Sequence, residues 1–185
     1  QREAVIWGER ALALLEKAHQ ELTRKYDIEL LRTTVVEIFA SENDFGVRTF
    51  GTTGNPGYLG VCFGSVITAN SPSTQIGRPS NWEAVLWHEF AHVVTLSKTQ
   101  NKMPRWLSEG ISVYEELHKN PAWGQRMIPK YVQFIADGDL TPVSRLSLAF
   151  LMPKSPQHLQ FAYYESYLVV DYIVREFGLD GLLKI

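Results

Sequence analysis

With 185 residues, 45% of them hydrophobic and 21% charged, the chain has the length and composition of one ordinary globular domain that can bury a core. A formal charge of −2 and a pI near 6.2 exclude a general electrostatic attraction to nucleic acid or to an anionic membrane surface. No apolar run is long enough to span a bilayer, and the single Cys62 excludes an internal disulfide. The chain lacks a starting Met, and Gly178-Leu-Asp-Gly-Leu-Leu-Lys-Ile185 reads as the start of another helix. The expectation is therefore one domain, 1–185, excised from a longer multidomain protein.

Residues 2–26 predict a helix, with Val5, Ile6, Leu12, Leu15, Ala18, Leu22 and Tyr26 at helical spacing. Two β-rich stretches follow, Leu30–Phe39 and Leu59–Ala69, with Gly51-Thr-Thr-Gly-Asn-Pro-Gly57 as a loop between them. The polar stretch Asn70–Pro79 then leads to a second helix. There Ser80 and Glu83 form a capping-box pattern ahead of the nearly all-apolar segment Trp82–Leu96. Pro104 suits the first turn of a third helix ending near His118. Residues 122–136 predict a further helix, 139–156 a Pro-punctuated connection, and 160–177 a last helix stopped by Gly178. A mixed sheet first and helices afterwards is the α+β pattern: a small sheet over one helix, then a C-terminal helical part.

His88, Glu89 and His92 interrupt the apolar helix. Unpaired polar groups buried there cost roughly 2–7 kcal/mol each. Two imidazoles one turn apart project the same way, which is the spacing at which they share one zinc ion, with the adjacent Glu89 as general base. Catalytic zinc takes three protein ligands, and Glu109, on the next helix after sixteen intervening residues, is the best third. Gly110 beside it costs about 1 kcal/mol of helix propensity against Ala, which makes sense where the helix approaches another backbone closely. His19, His118 and His158 have no partner at ligand spacing and read as surface residues. Glu116 shares a helix face with Glu109 and is a candidate to hold a ligand His by its second nitrogen, or a surface group. Hydrolysis of a carbonyl substrate also needs an oxyanion donor, for which Tyr163 and Tyr164 on the last helix are the candidates. Helical phase puts Tyr163 with Tyr167, Val170 and Val174 on the inward face and Tyr164 with Leu168, Asp171 and Arg175 on the wetter one, which favours Tyr163.

Val85-Leu-Trp-His-Glu-Phe-Ala-His-Val-Val94, followed by Met103-Pro-Arg-Trp-Leu-Ser-Glu-Gly-Ile-Ser-Val-Tyr-Glu115, resembles the gluzincin zinc metallopeptidases, and among them the compact bacterial peptidase-MA-like domains and minigluzincins. The resemblance covers about residues 80–178. It implies Zn²⁺ on His88, His92 and Glu109, Glu89 as base, and Tyr163, three residues before the small Ser166, as the catalytic tyrosine. It also implies a peptide or protein substrate whose backbone pairs with the edge of Gly60–Asn70. Further domains in the parent chain and an extracytoplasmic location follow from the same resemblance. The Gly-x-Met-Glu-Asn motif that reads a free N-terminus in the related aminopeptidases is missing, so the expectation is an endopeptidase. The alternatives are a catalytically inactive zinc-binding scaffold and a hydrolase of a non-peptide amide or ester.

Overall fold

Helix α1 spans Arg2–Lys25. It buries Ala11, Leu15, Ala18 and Leu22, an i, i+4, i+7 stripe that Tyr26 continues just past the helix end, and it packs on α3 (Trp82–Lys98). The upper part of the expected stripe does not close: Val5, Ile6 and Leu12 are exposed. Leu12 instead lines a cavity of about 700 Å³ with Leu31, Val36 and Ile38. The same two helices are joined by the Arg10–Glu83 ion pair at 2.6 Å and by the edge-on rings of Trp7 and Trp82. The structure, a computed structural model, describes residues 2–53, 57–74 and 81–185. Within these the chain forms two compact units, Gln1–Asn101 and Lys102–Ile185.

In the first unit β1 (Val35–Phe39), β2 (Gly60–Phe63) and β3 (Val66–Asn70) form a sheet of order β1-β3-β2. β1 runs parallel and β2 antiparallel to the central β3. The second β-rich stretch is thus a hairpin rather than one strand, turned at Gly64, whose φ of +63° a residue with a side chain rarely adopts. Ile67 and Ala69 are buried on the sheet face that α3 covers. The other face carries α2 (Glu42–Phe50), a helix absent from the sequence reading. Ser41 caps it by accepting from the Asp44 amide, and Gly51 ends it in the left-handed region. Thr49 Oγ1 donates to Thr68 Oγ1 at 3.0 Å, and Arg48 pairs with Glu37 at 2.8 Å.

The helix carrying the histidines starts at Trp82, but Asn81 is its cap, accepting from the Ala84 amide at 3.2 Å. Glu83 is therefore in the second position of the helix, not the third, and the expected cap Ser80 lies outside the described residues.

The second unit is helical: α4 (Arg105–Lys119), α5 (Pro129–Ala136), α6 (Leu146–Leu151) and α7 (Pro156–Leu182). α5 is shorter than expected, because Pro129 starts it and residues 121–128 are irregular. α6 occupies the stretch expected to be a connection. α7 begins four residues early, with Ser155 as cap and Pro156 in the first turn. Gly178 (φ +71°, ψ 175°) interrupts it where the sequence reading ended it, and one more turn follows to Leu182. α4 and α7 form the main contact of this unit, and Gly110 is why they can: a Cβ there would lie 2.5 Å from the Ser166 carbonyl oxygen.

No helix among the described residues is long and apolar enough to cross a membrane.

Candidate active site

α3 is buried along most of its length, including Glu89, His92 and Thr95. Thr95 satisfies its hydroxyl on the Ala91 carbonyl at 2.9 Å. His88, half-buried, and His92 stand one turn apart with their rings at 81° and their Nε2 atoms 3.1 Å apart. Two nitrogens at about 2.0–2.1 Å from a tetrahedral zinc stand roughly 3.3–3.4 Å from each other. The pair as folded therefore matches one edge of such a coordination shell to within a few tenths of an ångström. It is preorganised by helical spacing alone, without any side chain leaving its place.

Glu89 turns toward β2. A Cβ on Gly60 would lie 2.9 Å from Glu89 Cγ and 3.1 Å from its Oε1, so the strand backbone and the carboxylate are packed against each other. Cys62, two residues along the same strand face, feels the same group. Burial first, and the negative charge of Glu89 second, push its thiol up to about 12, while the contact of Sγ with the Gly64 carbonyl pulls the other way. A thiol held so high carries no thiolate near neutral pH, which excludes Cys62 as a nucleophile.

In the second unit Glu109 is buried on α4, inside a run from Leu107 to Glu115 that is buried all round. Arg105, one turn earlier, reaches its Oε1 at 3.4 Å and also lies over the Phe150 ring, 5.7 Å from the centroid. Phe150 in turn meets the Tyr163 ring edge-on at 5.0 Å. Arg105 and Phe150 thus link the sequence-predicted glutamate to the sequence-predicted tyrosine.

The two tyrosines have different surroundings. Tyr164 is buried and stacked on Tyr131 at 5.2 Å, in a cluster with Phe134 and Phe161, and burial raises its pKa. Tyr163 is half-buried and packs against the α6 cluster of Leu146 and Phe150. Helical phase predicts a wet face for Tyr164. At Tyr164 α5 covers that face, although Leu168 and Arg175 further along it are exposed, so the assignment of Tyr164 as the exposed one is corrected, while Tyr163 remains the one of the two whose side chain is only partly enclosed.

The other histidines sit as follows. His19 and His118 are exposed, His118 stacking on Tyr114. His158 is half-buried, with Nδ1 2.8 Å from Ser155 Oγ and Nε2 3.4 Å from Asp139. Among the carboxylates, Glu116 is half-buried, whereas Glu115, which was given no role, is buried. Glu165 was missed as well. It is buried, accepts from the Thr141 amide at 2.7 Å, and has its pKa raised by burial, so it fastens the 137–145 loop to α7. No motif announces it; the only cue is a Glu between two aromatic positions of α7.

No curated protein and no solved structure matches the chain. The model of one family, described as the peptidase MA superfamily, matches residues 66–185, a span holding β3, the histidine helix, Glu109 and both tyrosines. That span is well over half of the chain, and it holds the paired imidazoles and the buried glutamates: the chain belongs to the peptidase MA superfamily.

Proposed function

We propose that the protein is a zinc-dependent endopeptidase in which His88, His92 and Glu109 bind the metal, Glu89 is the general base and Tyr163 donates to the oxyanion. The family suggests a zinc metallopeptidase acting on protein or peptide. The observation that carries the reading is the 3.1 Å separation of the His88 and His92 Nε2 atoms. The reading takes residues 1–185 as one catalytic domain.

When bound, zinc supplies Lewis acidity, lowering the pKa of water and polarising the scissile carbonyl. The chain's own residues do the rest. Glu89 takes the proton from the attacking water and passes it to the leaving amine. Tyr163 offers its hydroxyl to the oxygen that becomes negative at the tetrahedral stage. The substrate backbone is aligned by a sheet edge, and here the sequence reading is narrowed. Of Gly60–Asn70, β3 is the central strand and only β2 has an open edge among the described residues. The Asn70 amide donates to the Leu59 carbonyl, so by alternation Leu59, Val61 and Phe63 turn their polar backbone groups to β3. Gly60 and Cys62 turn theirs to the open edge, where an extended peptide can pair with them. An edge that holds the backbone of an extended chain, with no Gly-x-Met-Glu-Asn motif to read a free amine, suits cleavage within a polypeptide.

Zinc content tests the ligand set. Glu109→Ala is expected to lower retained zinc well below one ion per chain while its helices persist by circular dichroism. Undiminished zinc in that variant would assign the third ligand elsewhere. Tyr163→Phe is expected to lower turnover of a labelled casein by roughly 10²–10³-fold. Tyr164→Phe is expected to leave turnover near wild type, because that ring sits in the α5 cluster; the reverse result would exchange the two roles.

A further inference from the structure

Gly60 does not need the conformational freedom of glycine. Its φ is not in the left-handed region, unlike that of Gly51, Gly64 or Gly178. What the position excludes is a side chain. A Cβ would stand 2.8 Å from Val85 Cγ1, 2.9 Å from Glu89 Cγ and 3.1 Å from Glu89 Oε1. The first contact is packing between β2 and α3. The other two are with the proposed base itself. The same residue presents its N–H and C=O to the open sheet edge, so its backbone is shared between the substrate on one side and Glu89 on another.

We infer that Gly60 is a positioning residue: its missing side chain lets the substrate-pairing strand touch Glu89 and thereby fixes the base at the scissile bond. The inference rests on the peptidase reading above. With Ala at this position the carboxylate has to move away from the strand, or the strand has to move away from α3. Either movement changes the distance between the base and a peptide held on the Gly60 backbone. Misplacement of about 1 Å costs on the order of 10²-fold in rate. Because the added methyl points at α3 and not along the open edge, the hydrogen bonds that pair the substrate remain, and the loss falls on kcat more than on KM.

A purely structural glycine would act through Val85, and the two cases separate in a double variant. Gly60→Ala/Val85→Ala removes the packing clash and leaves the clash with Glu89. The expected result, with fluorescein-labelled casein as probe, is a melting temperature and zinc content matching Val85→Ala alone, a KM close to it, and a kcat lower on the order of 10²-fold. Recovery of kcat together with stability would overturn the inference. A crystal structure of the same double variant gives a readout independent of turnover, with the Glu89 carboxylate expected to be displaced from its place against β2. A carboxylate that stays put would overturn the inference too. If the wild type leaves casein intact while binding zinc, the peptidase reading fails on its own, and the displacement of Glu89 still decides whether Gly60 sets its position.

Discussion

Glu89→Gln is expected to keep the zinc of the wild type and to lose on the order of 10²–10⁴-fold in turnover, the range that a positioned general base contributes. The amide has nearly the same shape as the carboxylate, so its packing against Gly60 and its place next to His88 on α3 are preserved. What goes is the ability to accept a proton from water. The measurement pairs zinc stoichiometry with casein cleavage in one preparation. Zinc retained with full turnover would remove the base assignment. Zinc lost along with turnover would move Glu89 from proton transfer to metal binding. The thiol of Cys62 cannot substitute as a base, since burial, the larger cause of its raised pKa and one that the variant leaves in place, keeps it protonated.

Gly110→Ala has the second largest expected effect, and its sign is diagnostic. In an unpacked helix interior the change gains about 1 kcal/mol from propensity. Here the new methyl meets the Ser166 carbonyl oxygen at 2.5 Å and the carbonyl carbon at 2.8 Å. These are backbone atoms of α7 and cannot rotate away as a side chain can. α4 and α7 have to separate, which puts the cost at or above the upper end of the ~1–3 kcal/mol typical of overpacking. For a chain of this length that corresponds to a fall of roughly 6–12 °C in melting temperature. Glu109 is the preceding residue, so zinc affinity is expected to fall with it. A Gly110→Ala variant that melts higher than wild type would show that the close approach of the two helices does not constrain the fold.

The parts of this molecule that were legible in sequence are those set by local geometry. Two His at i and i+4 on a helix face the same way wherever that helix sits, so the 3.1 Å pair could be read without a structure. Gly110 beside Glu109 in a helical pattern announced a close backbone approach, and Ser166 supplies it. What failed were inferences that assume each helix has one inward face. α7 packs α4 on one side, α6 on another and the α5 aromatics on a third, so Tyr164, wet by a single-stripe argument, is buried on Tyr131. Within α4 the stretch Leu107–Glu115 is buried all round, so Glu115 is buried like Glu109, while Glu116 is half-buried. The opposite error occurs in α1, where Val5, Ile6 and Leu12 continue the stripe but nothing within the described residues covers them. Capping chemistry is a further local signal. Ser41 ahead of Asp44 with Gly51 at the far end marks α2, and Ser155-Pro156 marks the start of α7. The hairpin turn at Gly64 was hidden because the β-rich residues on both sides of it read as one strand.

The central claim, a zinc peptidase built on His88, His92 and Glu109, is tested most directly by casein cleavage before and after chelation. The account predicts cleavage that stops when zinc is stripped and returns when one equivalent is restored, with His92→Ala inactive throughout. Cleavage indifferent to the chelator, or a protein that holds one zinc per chain and cleaves nothing, would contradict it.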